Sequence, residues 1–173
     1  MVRESTTDYN KITKISIFDF DGTLINTATP DTGKLIWKEK TGQDWPHIGW
    51  WGRKESLDST VFDNIPIPSV IQAYKVESIN RNTLMVMMTG RISRLSSEVE
   101  SILTSNGLKF DKYLYNNSSD TLRFKLGKLD SFISQYPNLK FIELWEDREP
   151  HVMAFREWGD TYPNINVKVN QVK

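Results

Sequence analysis

Apolar residues along the chain follow two alternating rhythms. Lys14 to Phe20 gathers β-branched and aromatic side chains and ends at the turn pair Asp21-Gly22, which predicts a strand. Leu84 to Met88 is continuously apolar, as a strand buried on both faces is, and gives way to Thr89-Gly90-Arg91. Phe110 to Tyr115 and Leu139 to Trp145 predict two more strands, the second closing on Glu146-Asp147-Arg148. Asn164 to Val169 alternates apolar and polar residues, the pattern of a half-exposed edge strand.

Between these runs the period lengthens to that of a helix. Proline in a first turn, with Val70, Ala73 and Tyr74 on one face, predicts a helix from Pro68 to about Ile79. Ser93 is placed to cap a second, in which Leu95, Val99, Ile102 and Leu103 fall at helical spacing before the stop at Asn106-Gly107. Asp120 caps a third, carrying Leu122, Leu126, Leu129, Ile133 and Tyr136 up to Pro137. Pro150 opens a shorter one that Gly159 should stop.

Strands alternating with helices imply right-handed crossovers and an α/β architecture: a mostly parallel sheet of about five strands covered on both faces. Ile25 to Pro66 breaks the pattern. It holds a short helical candidate at Gly33 to Lys40, then Gly42, Pro46 and the cluster Gly49-Trp50-Trp51-Gly52. We read residues 25–66 as a small irregular insertion, or minimal cap, within one domain spanning 1–173.

Composition agrees with that size. The chain has 173 residues, 38% of them hydrophobic and 12% aromatic, enough for one core. Lys plus Arg and Asp plus Glu balance at 22 each, which argues against polyanion binding driven by net charge while leaving room for a local basic groove. With no cysteine there is neither a disulfide framework nor a thiolate metal site, so a metal would sit on oxygen or histidine ligands. Met1 to Asn10 is polar and lacks an apolar leader core, and no run is long enough to span a bilayer, so we expect a soluble, cytoplasmic protein with no membrane contact.

The candidate chemistry lies where the strands end. Two carboxylates one residue apart, Asp19 and Asp21, close the first predicted strand, and burying them calls for a cation or a reaction. In an open parallel sheet ligands gather outside the carboxyl ends of the strands, and Thr89, Gly90, Arg91, Glu146, Asp147 and Arg148 belong to that same rim, with Lys125 near the start of a helix beside it. Such residue types can move a phosphoryl group. A carboxylate such as Asp19 can attack phosphorus, and a second, Asp21, can carry the proton to and from the departing oxygen. Mg2+ takes hard oxygen ligands of the kind Asp19 and Asp147 offer, while Thr89 and Lys125 can neutralise phosphate charge. Each group has an ordinary alternative: Lys125 as a solvated helix residue, Arg91 and Arg148 as surface charges, His151 as a hydrogen-bonded histidine. Trp50 and Trp51 divide between core anchor and an exposed platform that stacks on a base.

Asp19-Phe20-Asp21-Gly22-Thr23, Thr89, Lys125 and Glu146-Asp147, in this order, resemble the four motifs of the haloacid dehalogenase (HAD) superfamily. The resemblance implies a three-layer Rossmann-like core. It also implies Asp19 as nucleophile, Asp21 as general acid and base, Thr89 as phosphate binder, with Thr23 among the substrate contacts, and Lys125 as charge stabiliser. Magnesium would be held by Asp19, the carbonyl of Asp21 and Asp147, with Glu146 as a further candidate ligand. An aspartate at position 21 matches the phosphatase branch rather than the dehalogenases.

Thr89-Gly90-Arg91 and Glu146-Asp147-Arg148 are also similar to motifs of the 3'-phosphatase domain of polynucleotide kinase-phosphatases. Gly49-Trp50-Trp51, Phe124-Lys125 and Glu146-Asp147-Arg148 with His151 and Phe155 look closer to the Swiss Army Knife RNA-repair-like HAD domains. Thr121 stands where the kinase-phosphatase pattern has an aspartate. The implied function is removal of 3'-phosphates from RNA or DNA ends in repair, in association with a ligase or kinase. Two other readings stand beside it: a phosphatase of free nucleotides or other small phosphomonoesters, and a noncatalytic HAD module that binds phosphorylated ends.

Overall fold

The computed structural model describes residues 8–173; the first seven residues of the polar N-terminal stretch lie outside the described residues. Five parallel strands form one sheet in the order β5-β4-β1-β6-β7, namely β5 (Lys112–Leu114), β4 (Thr83–Met88), β1 (Lys14–Phe18), β6 (Phe141–Glu146) and β7 (Asn166–Gln171). From β1 the chain builds outward through β4 to β5, then crosses back to β6 on the other side. The strand order therefore reverses at β1, and Asp19 follows it directly.

Alternate residues of the central strands feed two cores. Ile15, Ile17, Leu84, Val86, Met88, Ile142 and Leu144 pack against Leu129, Phe132 and Tyr136 of α4 (Thr121–Gln135) or its end, and against Val152, Phe155 and Trp158 of α5 (Glu149–Asp160). On the opposite face Phe18, Met85, Met87 and Trp145 meet Val70 and Tyr74 of α2 (Pro68–Ser78) and Val99, Ile102 and Leu103 of α3 (Ser96–Ser105). The result is the expected three-layer sandwich.

Local differences from the sequence reading have physical causes. The first helix is longer than its apolar pattern, running as α1 (Pro30–Thr41), because proline supplies the first position and Gly42, at φ 76°, the left-handed exit. Residues 25–66 are closed by a two-residue antiparallel pair, β2 (Ile25–Asn26) with β3 (Ile65–Pro66), too short to show a period. Ser93 makes no side-chain cap and opens a 3₁₀ turn (Ser93–Leu95) that leads into α3. Gly159 does not stop α5, which continues to Asp160; a Cβ there would lie 2.8 Å from Cβ of Val167, so the glycine lets α5 approach β7. Asp120 does cap α4, accepting from the Arg123 amide at 3.1 Å. No helix among the described residues is long and apolar enough to cross a membrane.

Phe18 joins the layers. Its ring stacks on Trp145 at 4.3 Å, 3° from parallel, and meets Tyr74 and Phe110 at its other contacts. Truncation to Phe18→Ala should cost about 3–5 kcal/mol in urea denaturation; a loss below about 1 kcal/mol would show that this aromatic cluster does not hold the sheet to α2.

Candidate active site

Asp19 inherits its position from the sheet. Its amide still donates to the Trp145 carbonyl at 3.1 Å, one residue beyond β1, which delivers the carboxylate to the carboxyl edge at 7% exposure. The chain then folds back, with the Gly22 amide donating to the Ile25 carbonyl at 2.8 Å and the Leu24 amide to the Asp19 carbonyl at 3.2 Å. Gly22 is required twice over: its φ is 71°, and a Cβ would run into the Asp147 carboxylate. This turn sends Asp19 and Asp21 to different neighbours.

Asp19 meets Lys125. One turn inside α4, Lys125 is 2% exposed, and its Nζ donates to Asp19 Oδ1 at 2.9 Å and to Glu146 Oε2 at 2.8 Å. It is thus a buried ion bridge between the ends of β1 and β6, not a solvated helix lysine. Burial alone would lower the lysine's pKa, but the two carboxylates raise it. Burial alone would raise Glu146, yet the Lys125 ammonium and the Arg148 amide, 3.2 Å from Oε1, hold it far below the usual carboxylate range. Burial, with Glu146 and Asp147 close by, pushes Asp19 well up despite Lys125. Asp147 is raised by burial and by its nearness to Glu146.

One ammonium therefore faces three carboxylates, whose oxygens on Asp19, Glu146 and Asp147 lie within 4.8 Å of one another. Such an excess of buried negative charge suits a divalent cation. The hydrogen bonds sort the candidate ligands. Both oxygens of Glu146 are used, by Lys125 and by the Arg148 amide, which makes Glu146 the anchor of Lys125. Asp19 Oδ2 and Asp147 Oδ1 each lie 3.4 Å from the buried Thr23 hydroxyl, a contact at the outer limit for a hydroxyl donor, and so remain suited to a metal.

Asp21 lies on the other side of the turn. Arg91, with a side chain 1% exposed, grips it through Nη2 to Oδ1 at 2.7 Å and Nε to Oδ2 at 3.0 Å, and Thr27 Oγ1 donates to Oδ1 at 2.7 Å. The remaining reach of the guanidinium is spent on the insertion: Nη1 donates to the Trp51 carbonyl at 2.9 Å and to Ser56 Oγ at 2.7 Å. Four of the five guanidinium N–H groups are thus directed at protein, so that Arg91 positions Asp21 and has no full fork left for a substrate. Thr27 and Ser56 gave no signal in the sequence, because the irregular segment that carries them has no periodicity.

The other rim residues fall into place around these two carboxylates. Thr89 is fully buried, and its Oγ1 accepts from the Arg91 amide at 3.1 Å. Gly90 abuts α4, where a Cβ would come within 2.8 Å of Thr121 Cγ2. Arg148 uses its amide on Glu146 while its side chain is exposed. Trp50 is 3% exposed, packs over Gly33 and between Trp45 and Phe62, and donates to the Ala28 carbonyl at 3.1 Å; it is a core anchor of the insertion, not a substrate platform. Trp51 is the exposed partner, at 44%. His151 is buried, with Nδ1 3.8 Å from Glu146 Oε2 and without a hydrogen-bond partner among the described residues.

Residues 32–173 match the model of HAD domain family 1 in Swiss Army Knife RNA repair proteins. The chain belongs to that family. The matched span of this HAD domain includes Arg91, Lys125, Glu146 and Asp147, while Asp19 and Asp21 precede it. The domain is 24% identical over 171 residues to the uncharacterized protein YMR265C of Saccharomyces cerevisiae, an alignment covering 85% of this chain and 37% of the yeast protein. Among solved structures, a chain of the Pnkp1/Rnl/Hen1 complex matches 99% of this domain at 19% identity with a TM-score of 0.60, over 50% of its own length. The HAD domain of effector protein Lem4 from Legionella pneumophila, as an inactive mutant, matches 94% of this domain and 86% of its own length at 12% identity and a TM-score of 0.51. These structures share the fold. The domain thus spans well under two thirds of both the yeast relative and the Pnkp1 complex chain.

The crowding of carboxylates has a measurable sign. A carboxyl whose pKa in the folded state exceeds its ordinary 3.8 favours its protonated form; that contribution is full below 3.8 and is lost as pH rises through the raised value. In cation-free protein Asp19→Asn should therefore be more stable than the wild type at neutral pH, the gap closing towards pH 4 and narrowing when Mg2+ is added. Thermal melts across pH check this; a gap that is independent of pH would contradict it.

Proposed function

We propose that this HAD domain is a magnesium-dependent phosphomonoesterase that works through an Asp19 phosphoenzyme and removes 3'-phosphates from nucleic-acid ends, RNA foremost. The observation that carries the reading is the separate housing of its two carboxylates: Asp19 against Lys125 at 2.9 Å with Asp147 beside it, and Asp21 in the grip of Arg91 at 2.7 Å. A module that only binds phosphate has no use for a carboxylate facing the incoming anion.

In the first step a carboxylate oxygen of Asp19 attacks phosphorus, the bond from phosphorus to the leaving oxygen breaks, and Asp21 gives that oxygen a proton. In the second, Asp21 takes a proton from water as the water oxygen attacks phosphorus, the acyl phosphate bond breaks, and inorganic phosphate leaves. Lys125 offsets charge on Asp19 and on the transferring group, and its bridge to Glu146 fixes the direction of its ammonium. Thr89 donates its hydroxyl proton to a phosphate oxygen, with the neighbouring amide of Gly90. Asp19, Asp147 and the carbonyl of Asp21 would hold Mg2+, which supplies positive charge where two anions must meet.

The RNA-repair family supports a polymer end as substrate, and the neighbour solved in an RNA repair complex supports partnership with enzymes that act on the same ends, such as a ligase or kinase. A phosphate-release panel tests both levels: 3'-phosphorylated RNA and DNA, mononucleotides and sugar phosphates, with Mg2+ or with chelator. We expect 3'-phosphorylated RNA to lead, chelator and Asp19→Asn to abolish release, and Asp21→Asn to lower kcat by roughly 10²–10⁴-fold. Preference for nucleotides or sugar phosphates would replace the polymer with a small substrate; no release from any of them, with Asp19→Asn still binding ends, would make the domain a binding module.

A further inference from the structure

Trp51 lies one guanidinium away from the carboxylate assigned to the leaving group. Arg91 Cζ is 5.0 Å from the centre of its indole ring, and the same guanidinium holds Asp21 at 2.7 Å. Arg91 lies over one face of the ring, and Trp51 as a whole is 44% exposed. The other strongly exposed aromatic side chains among the described residues are Tyr9 and Phe141, which belong to the amino-terminal end of the sheet: Phe141 pairs with Lys14 at the start of β1, and Tyr9 packs on Tyr136. Trp51 is thus the open aromatic surface on the side where the reaction is proposed to occur.

The backbone that carries it is also held. The Trp51 carbonyl and Ser56 Oγ both accept from Arg91 Nη1, at 2.9 and 2.7 Å, and Trp50, next in the chain, is locked over Gly33. The platform and the Asp21 carboxylate are therefore tied to one buried plane. With four of its five N–H groups directed at Asp21, Trp51 and Ser56, that plane offers no second fork for a phosphate, and beside it lies the flat face of the Trp51 indole. An oxygen that receives a proton from Asp21 brings the rest of its leaving group to this face.

We propose that Trp51 stacks on the terminal base of the leaving group, so that the site selects a 3'-phosphorylated end whose last base is unpaired and able to turn onto the indole. The inference rests on the phosphomonoesterase reading above and deepens it. Stacking accepts any base, since every base has a flat face, and this gives selection for a nucleic-acid end without selection of sequence. A fully paired end offers that base only after fraying, and a phosphomonoester without a base offers nothing.

The test compares two single-stranded RNA oligonucleotides with a 3'-phosphate, one ending in an ordinary nucleotide and one in an abasic tetrahydrofuran residue, for the wild type, Trp51→Phe and Trp51→Ala with Mg2+. Wild type should favour the base-bearing end by roughly tenfold in kcat/KM, mainly through KM, Trp51→Phe should keep most of that preference, and Trp51→Ala should lose it. Each preference is a ratio within one variant, so a general loss of active protein cancels. Equal rates on the two ends for wild type, or an unchanged ratio in Trp51→Ala, would overturn the stacking role while leaving the phosphatase reading in place. Failure of wild type to release phosphate from either end would overturn both.

Discussion

The site depends on one buried cation. Lys125 reaches the interior only because Asp19 and Glu146 meet it there, at 2.9 and 2.8 Å. Those carboxylates stand at the ends of β1 and β6, adjacent strands, so the lysine locks α4 against the middle of the sheet. Such a triad is poor evidence of stability, since removing three charged groups from water costs about as much as their attraction returns. Its consequence is directional: the ammonium is aimed at one oxygen of Asp19, and the excess negative charge it cannot offset is left on Asp147 and the other oxygen. The same interaction that positions the lysine creates the demand for a metal.

A second cation divides the labour. Had Asp19 and Asp21 shared surroundings, two carboxylates one residue apart would be interchangeable. The turn at Gly22 separates them, giving Asp19 to a buried lysine and Asp21 to Arg91 and Thr27. Distinct environments are how two identical groups acquire different roles in acid-base chemistry. Arg91 also joins this division to residues 25–66 through Trp51 and Ser56, so the insertion is part of the housing of Asp21.

What the sequence revealed follows the same physical line. A continuous apolar run showed β4 because a strand buried on both faces admits little else, β-branched and aromatic residues marked β1, and the carboxylates closing β1 and β6 stood out against that background. Asp120 was legible because its cap is local. Arg91 could be placed beside the site by its strand but not given its partners, since Thr27, Trp51 and Ser56 come from a segment without a period. Gly159 looked like a helix stop because glycine often is one; the reason for it, Val167, lies on another element. Trp50 and Trp51 are the same residue side by side, and only the space over Gly33 decides which is buried.

That insertion also bears on how water would be kept from the proposed reaction. A cap that swings shut can exclude solvent itself, but β2 pairs with β3 at the base of this segment and Arg91 pins its far part to Asp21. These contacts tie the segment together at its base and to the housing of Asp21. Asp147 remains partly exposed beside it, and the Asp21 side chain is 20% exposed, so the rim stays open to solvent. Under the phosphomonoesterase reading proposed above, a small substrate would leave this rim wet. A leaving group broad enough to cover Asp21 and lie on Trp51 would supply the missing wall, and a nucleic-acid end has that breadth. For the reaction proposed above, an insertion tied down in this way would suit a large substrate, as a mobile cap suits a small one.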